Sequence, residues 1–221
     1  MGRHFDNELR DLKFSLLAMA GQVEEMIALT QDALVRRDGE AAERVLALDK
    51  EVDEWELKLD QACIDLLGLR APFASDLRLL ASTLKIVPEL ERIGDHCCNI
   101  AWRAKVLSTQ PAILATEELE RLSREAQGMV RLAVDAFVNG NAEQARNVID
   151  SDDRADHAYV EMYKTLLRQM LADPLTIERA THLLMINKNW ERIADQATNI
   201  AEEVLFILEG KSAKHPYLRH S

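Results

Sequence analysis

The sequence predicts an all-α protein built as two tandem antiparallel three-helix bundles that are related by internal duplication. Glycine and proline are scarce, with 8 and 5 residues in a chain of 221, and several of them separate long segments from one another. Within those segments apolar residues recur at steps of three and four, which is the period of an α-helix. A motif of eleven residues occurs twice, at 91–101 and 191–201. Such a repeat indicates two copies of one structural unit.

The first half of the chain is predicted to form three helices, near residues 4–37, 40–70 and 73–107. Between residues 5 and 33 the apolar side chains follow one another in steps of four and three, as in the packed seam of a left-handed bundle. Asp38-Gly39 breaks the chain after the first helix, and Ala71-Pro72 breaks it after the second. Turns this short place consecutive helices side by side and antiparallel.

The second half is predicted to repeat this arrangement, with helices near residues 115–138, 141–172 and 175–209. Asn139-Gly140 and Asp173-Pro174 provide the two breaks, and residues 108–111 form the linker between the halves. We therefore expect the first bundle to occupy residues 1–108 and the second to occupy residues 112–210. Residues 211–221 offer little to bury and are predicted to be a flexible tail.

The charge balance and the ends of the chain disfavour several classes of function. Lys and Arg number 27 against 38 Asp and Glu, which gives a formal net charge of -11. An acidic chain without a basic stripe repels phosphate backbones, so nucleic-acid binding is disfavoured. The charged start is not a secretory signal, and no apolar run is long enough to span a bilayer. Three cysteines suit a reducing compartment. We expect a soluble, cytoplasmic protein without membrane insertion.

Each copy of the motif places two rows of side chains on opposite sides of its helix. Residues four apart are neighbours on a helix, so the Glu, Asp and Asn of the motif form one row. In the first copy Ile93, Cys97 and Ile100 form the other row, which is predicted to face the core. The polar row is then predicted to face solvent or a shallow groove. Its members are Glu91, Asp95 and Asn99 in the first copy and Glu191, Asp195 and Asn199 in the second.

A second pair of acidic residues precedes each copy of the motif. Asp49 and Asp53 lie on the second predicted helix, and Asp152 and Asp156 lie on the fifth. Like charges four residues apart are unfavourable by about 0.2–0.5 kcal/mol. Where adjacent antiparallel helices bring two such pairs together, a multivalent cation relieves the repulsion. Oxygen ligands suit Mg²⁺, Mn²⁺ or Ca²⁺, and carboxylates also hold iron or zinc.

The same acidic residues also have a purely structural explanation, which stays open as the alternative to a metal site. A single E-x-x-x-D on a helix is ordinarily a solvated face, and Arg92 and Arg192 are available for ordinary salt bridges with the acids. Recurrence of the whole pattern favours a metal site, although the symmetry of a duplicated fold accounts for part of the recurrence. The residue after each motif Asp is His96 in one copy and Gln196 in the other, so neither is predicted to be a ligand.

Taken together, these motifs resemble the PhoU family of bacterial phosphate-regulation proteins. The doubled motif, the D-x-x-x-D before each copy and the segment RAPFASDLR at 70–78 carry the resemblance. It implies a cytoplasmic regulator that couples a phosphate ABC transporter, through its ATPase subunit, to a phosphate-sensing histidine kinase. Such a regulator restrains phosphate-starvation signalling and phosphate uptake. Members often form homodimers.

The resemblance also implies divalent or trivalent metal ions on the acidic surfaces, with iron, zinc, manganese and magnesium as candidates. By position, one site would use Asp49, Asp53, Glu91, Asp95 and Asn99, and the other would use Asp152, Asp156, Glu191, Asp195 and Asn199.

Three functional hypotheses remain at this point: a non-enzymatic metal-binding adaptor, a di-metal enzyme and a metal-free helical scaffold. Di-metal enzymes of the helical-bundle class draw Glu-x-x-His motifs from the bundle core. This chain has no Glu-x-x-His, and its polar rows are predicted to point away from the core. No Ser or Cys stands in a motif with a His base. The sequence therefore favours the adaptor.

Overall fold

The structure is a computed structural model that describes residues 2–70, 72–113 and 116–211. Within those ranges it contains six α-helices and no strand, so the all-α prediction is confirmed. The predicted flexible tail lies outside the described residues except for Lys211. The helices are α1 (Gly2–Val35), α2 (Gly39–Arg70), α3 (Ala74–Ser108), α4 (Thr116–Asn139), α5 (Ala142–Ala172) and α6 (Ile177–Glu209).

The helix boundaries differ from prediction where the backbone turns sharply. The first helix ends at Val35 rather than near residue 37, because Arg37 adopts a left-handed φ of 58°. The carboxylate of Asp38 then accepts hydrogen bonds from the backbone N–H groups of residues 40 and 41, and so caps α2. Before α6, Pro174–Thr176 form a short 3-10 turn, which Asp173 caps by accepting from the N–H of Leu175.

The helices form two layers. Four of them lie side by side in the order α2, α3, α6, α5. Helix α1 packs against α2 and α3, helix α4 packs against α5 and α6, and α1 also touches α4. Each half of the chain is therefore a three-helix bundle, and the two bundles meet mainly along α3 and α6. A continuous core of buried side chains runs through both bundles, with Trp190, Met26 and Met129 among its largest members.

Helices α3 and α6 run antiparallel at the junction of the two halves. Their paired residues show this, because residue numbers rise along α3 as they fall along α6. The pairs joined by hydrogen bonds are Arg78 with Ile207, Ser82 and Lys85 with Glu203, Glu89 with Asn199, and His96 with Asn189. Because the two motif copies are 100 residues apart, this pairing relates the halves by an approximate twofold axis near Ile93 and Ile193.

Two arginines hold the linker between the halves. The guanidinium of Arg37 donates to the carbonyls of Leu107, Ser108 and Gln110, at the C-terminal end of α3. Arg179 donates to the carbonyl of Pro111, with a distance of 2.9 Å. The start of the linker is thereby tied to both bundles. Within the described ranges, no helix combines the length and the apolar character needed to cross a bilayer.

Candidate functional site

The rows of the repeated motif face the directions that the sequence predicts. On α3, Ile93, Cys97 and Ile100 are fully buried, whereas Asp95 and Asn99 are exposed and Glu91 is half-buried. The apolar row of α6 is buried in the same way, while Glu191, Asp195 and Asn199 are half-buried. The polar row of the second half therefore lies deeper in the surface, and is less solvated, than that of the first half.

The first half gathers carboxylates from α2 and α3 into one group, which we name the first acidic patch: Asp49, Asp53, Glu56, Glu91 and Asp95. Burial raises the pKa of Glu91 to about 7, and the negative charges of Asp95, Glu56 and Asp53 add to the rise. Arg92 opposes it. Burial also raises the pKa of Glu56, with contributions from Asp53 and Asp95 among its neighbours. The mutual repulsion expected from the sequence is thus present across the two helices.

Asp49 occupies the inner edge of the first acidic patch, beside the thiol of Cys98. Burial raises the pKa of Asp49, as do the charges of Asp53 and Asp95, whereas its hydrogen bond with Cys98 lowers it. Burial and the charge of Asp49 in turn raise the pKa of the Cys98 thiol. Cys98 therefore stays protonated at neutral pH and acts as a weak donor to the carboxylate.

The second half forms a corresponding group from α5 and α6, the second acidic patch: Asp152, Asp156, Glu191 and Asp195. Burial raises the pKa of Asp195 to about 6, the charge of Glu191 raises it further, and Arg192 opposes the rise. Burial also raises the pKa of Asp152, while a hydrogen bond from Thr198 lowers it. The hydroxyl of Thr198 donates to Asp152 over 3.2 Å, in the position that Cys98 takes beside Asp49.

The two patches differ in the cations that accompany them. In the second patch Lys188 binds both carboxylate oxygens of Glu191 at 2.8 and 2.9 Å, and Arg192 binds Asp195 at 3.0 Å. In the first half Pro88 stands at the position of Lys188, and Arg92 pairs at 3.0 Å with Glu89, outside the patch. The salt-bridge explanation therefore describes the second patch better than the first.

The motif asparagines do not behave alike. The Asn99 amide donates to the backbone carbonyl of Asp95 on its own helix, at 3.0 Å. The Asn199 amide instead donates across the junction to Glu89, at 3.1 Å, and also contacts Gln196 at 3.2 Å. Asn99 thus stays beside its patch, whereas the amide group of Asn199 is directed towards α3.

His96 lies between the two patches. Its Nδ1 is hydrogen bonded to Asn189 Oδ1 at 2.9 Å, and burial lowers its pKa. The charges of Asp95 from the first patch, of Glu191 from the second and of Arg192 beside it all act on this ring. Both patches therefore flank the α3–α6 seam on the same face of the four-helix layer. Their negative charges act together on whatever approaches that face.

The donor chemistry of both patches fits a hard or borderline cation, since every predicted ligand supplies oxygen and the carboxylates raise one another's pKa. In the arrangement seen here, no three His, Cys, Asp or Glu side chains of the described part of the chain meet closely enough to enclose an ion. The patches thus present the charge for a cation, and binding would need their side chains to rotate towards it.

Comparison with known proteins shows which family this architecture matches. The PhoU domain family matches residues 16–104 and, a second time, residues 119–204. The chain belongs to the PhoU family. A relative from Caulobacter vibrioides, named phosphate-specific transport system accessory protein PhoU homolog, is 37% identical over 210 residues, which is 95% of this chain and 91% of the relative. A relative of the same name from Pseudomonas aeruginosa is 34% identical over 216 residues, covering 97% of this chain and 89% of the relative.

Solved PhoU structures share the fold. The crystal structure of PhoU from Pseudomonas aeruginosa has a TM-score of 0.92 at 35% identity, and the match covers 94% of this chain and 100% of that one. The phosphate transport system regulatory protein PhoU from Streptococcus pneumoniae has a TM-score of 0.86 at 29% identity, with 94% and 98% covered. Each of the two domain matches contains one acidic patch.

Four residues that belong to the acidic patches or contact them were not predicted from the sequence. Glu56 follows Asp53 by three residues on the same side of α2, so helical spacing alone could have found it. Cys98, Thr198 and Lys188 contact their acids across or along helices. Lys188 stands three residues before Glu191 on α6, so helical spacing could have found it too. The roles of Cys98 and Thr198 depend on the packing of neighbouring helices, and no spacing rule identifies them.

Proposed function

We propose that this protein is a cytoplasmic, non-enzymatic regulator of phosphate uptake and phosphate-starvation signalling. In this role it connects the ATPase subunit of a phosphate ABC transporter to a phosphate-sensing histidine kinase and restrains both when phosphate is plentiful. The observation that carries the proposal is similarity over nearly the whole chain to proteins named as phosphate-specific transport system accessory proteins. The net charge of -11 favours protein partners over nucleic acid.

The proposal includes cation binding at both acidic patches. Asp49, Asp53, Glu91, Asp95 and Asn99 would hold a divalent or trivalent ion in the first half. Asp152, Asp156, Glu191, Asp195 and Asn199 would do so in the second, with iron, zinc, manganese or magnesium as the ion. A bound ion would supply positive charge to carboxylates that otherwise repel one another. It would thereby fix the orientation of those side chains.

A regulator is favoured over a di-metal enzyme by the direction of the acidic rows. Bundle enzymes with two metals project their ligands into the bundle core. Here the buried side of α3 carries Ile93, Cys97 and Ile100, and the carboxylates lie on the opposite, solvated side. The names of the relatives, which describe accessory or regulatory proteins, point the same way. We include a homodimer in the proposal as well.

The proposal is tested in a bacterium that lacks its own PhoU and carries a reporter of phosphate-starvation genes. Wild-type protein should restore repression in high phosphate. The double variant Glu91→Gln/Asp95→Asn should restore it poorly, and the exposed Asp11→Asn on α1 should behave as wild type. If wild-type protein, present at normal levels, leaves the reporter as high as in the deletion strain, the regulatory role is wrong.

Cation binding is tested separately by titrating the metal-free protein with Mn²⁺ or Zn²⁺ in a calorimeter. We expect two classes of site, of which Asp95→Asn removes one and Asp195→Asn the other, with unchanged helical circular dichroism. At an ion concentration of 100 Kd, each site should stabilise the fold by about 2.7 kcal/mol. If wild type and both variants bound the ion equally weakly, the proposed cation sites would be wrong and the protein would regulate without metal.

A further inference from the structure

The junction between α3 and α6 carries opposite charges at its two ends. At one end the buried carboxylate of Glu203 accepts hydrogen bonds from Ser82 at 3.1 Å and from Lys85 at 3.2 Å. The approximate twofold axis pairs each of these positions with the one 100 residues away. The equivalent positions at the other end hold Arg103, His182 and Met185. A guanidinium thus stands where the twofold axis would place a carboxylate, with an imidazole and a thioether in place of the two donors.

Arg103 and His182 lack acceptors within the described part of the chain. The Nε atom of Arg103 is buried without a hydrogen-bond partner, and so is the Nδ1 atom of His182. The guanidinium lies over the ring of Trp102, with Cζ 5.5 Å from the ring centroid, and forms no ion pair with a described carboxylate. Buried donors without acceptors cost free energy, and a charged donor costs the most. This end of the junction therefore presents donors for a negatively charged group that the described residues do not supply.

Large exposed apolar side chains border the same end of the junction. Trp102 on α3 is 51% exposed, and its ring centroid lies 6.1 Å from that of His182 on α6. Met185 stands three residues after His182, on the same side of α6, and is 46% exposed. Aromatic residues, Met and Arg are enriched at protein interfaces, and Trp and Arg carry much of the binding energy there. A negative group that is flanked by apolar surface therefore fits these residues better than a free ion does.

We propose that Arg103, His182, Trp102 and Met185 form a docking site for a glutamate or aspartate side chain of a protein partner. The guanidinium of Arg103 and the Nδ1–H of His182 donate to the partner's carboxylate. Apolar residues beside that carboxylate pack on Trp102 and Met185. The Glu203 carboxylate shows that an anion of this kind fits between α3 and α6 at the equivalent place. This inference rests on the proposed function, which requires protein partners, and it specifies the chemistry that one of them presents.

The site is tested by titrating the full-length protein with two short peptides, acetyl-Leu-Glu-Leu-amide and acetyl-Leu-Gln-Leu-amide. The measured quantity is the NMR shift of the Trp102 indole N–H, which the variant Trp102→Phe identifies. The glutamate peptide should move this signal with a millimolar dissociation constant. The glutamine peptide should bind at least about tenfold more weakly, because it lacks the charge that Arg103 recognises. The signal of the buried Trp190 serves as an internal reference and should stay in place.

Three variants connect the peptide signal to the proposed donors. Arg103→Gln should abolish the shift, whereas its matched control Arg124→Gln, which breaks an exposed pair with Glu120 on α4, should bind as wild type does. The triple variant Arg103→Glu/His182→Ser/Met185→Lys copies the opposite end of the junction, so that the site supplies its own ion pair. This variant should melt at or above the wild-type temperature and should no longer bind the glutamate peptide. Its melting temperature shows that the loss of binding is not a loss of fold.

The assignment is overturned if both peptides move the Trp102 signal equally or if Arg103→Gln binds as well as wild type. Inorganic phosphate, titrated in the same way, should leave the signal in place. A phosphate shift larger than the peptide shift would make this a free-anion site and would also overturn the assignment. The reporter assay separates this inference from the proposed function. Repression without peptide binding would refute the docking site alone, whereas peptide binding without repression would support the site and refute the regulatory role.

Discussion

The ammonium group of Lys85 on α3 lies 3.2 Å from both carboxylate oxygens of Glu203 on α6. Glu203 is only 3% exposed, and the hydroxyl of Ser82 also donates to it at 3.1 Å. Lys85 belongs to the first half of the chain and Glu203 to the second, so the ion pair joins the two halves. Together with the other contacts between α3 and α6, it therefore helps to set how the two halves, and with them the two acidic patches, sit relative to one another.

Lys85→Met should destabilise the fold by about 2 kcal/mol, because it removes a cation that contacts a buried carboxylate. The figure is below that for a fully buried pair, since the Lys85 side chain is 56% exposed. Urea unfolding followed by circular dichroism measures the change. Arg44→Met is the control, because it breaks an exposed pair with Glu25 and should lose less than about 1 kcal/mol. Equal losses would show that Lys85 and Glu203 do not hold the halves together.

Arg37→Ala should also destabilise the protein, by about 2 kcal/mol, because three carbonyls at the end of α3 lose a charged donor. The neighbouring Arg36→Ala removes only an exposed pair with Asp32 and should change stability by about 0.5 kcal/mol or less. The midpoint of thermal unfolding compares the two. A variant at position 37 as stable as the one at position 36 would contradict the role of Arg37 at the linker.

The stability of the metal-free protein should depend on pH through Glu91 and Asp195. The folded-state pKa of Glu91 is about 7, against an ordinary value of 4.5, and that of Asp195 is about 6, against 3.8. A carboxyl whose pKa is raised by folding stabilises the native state while it is protonated. That contribution is fully present below the ordinary pKa and is lost as the pH rises through the folded-state pKa.

The unfolding temperature of the metal-free protein should accordingly fall between about pH 5 and pH 7.5. Glu91→Gln should match wild type near pH 5 and melt a few degrees higher near pH 8, because its amide stays uncharged. Asp11→Asn, on the layer away from the patches, should follow the wild-type profile. If Glu91→Gln also followed it, repulsion at Glu91 would be too weak to matter.

The cations of the second acidic patch should reduce its affinity for metal. Lys188→Met removes a positive charge that is bound to Glu191. Mn²⁺ should then bind the second patch roughly fivefold more tightly. This corresponds to about 1 kcal/mol, which is the repulsion between two unit charges about 4 Å apart in water. Calorimetric titration in an Asp95→Asn background isolates this patch. Lys105→Met, which pairs with Glu43 elsewhere on the first half, should leave the affinity unchanged. Weaker binding in Lys188→Met would reverse the proposed sign.

Much of the fold was readable from sequence because long amphipathic helices leave a strong periodic pattern. The buried row of Ile93, Cys97 and Ile100 set the direction of the polar row opposite it, and that prediction is confirmed. The C-terminal boundary of α1 was harder to predict, because nothing in the local sequence pattern shows that Arg37 takes a left-handed backbone conformation to reach the carbonyls of α3.

The pairing of charges within the site could not be predicted for a similar reason. Arg92 and Arg192 occupy equivalent motif positions, yet Arg92 binds Glu89 and Arg192 binds Asp195. The first half has Glu at position 89 where the second has Asn at 189. Asn199 from the other half then adds a contact to Glu89. Each arginine has acids within helical spacing, and the sequence alone does not say which of them it binds. The contact of Asn199 with Glu89 forms only after α3 and α6 have packed.

The antiparallel contact of α3 with α6 has a consequence for the origin of the molecule. A single ancestral triplet, before the gene was doubled, would have left the α3 surface that now meets α6 open to water. It would have covered that surface by meeting an identical subunit about a true symmetry axis. Fusion of two such units would have replaced an assembly that dissociates on dilution with a permanent one of high effective concentration. Each copy was then free to diverge, as the unequal cations of the two halves now show.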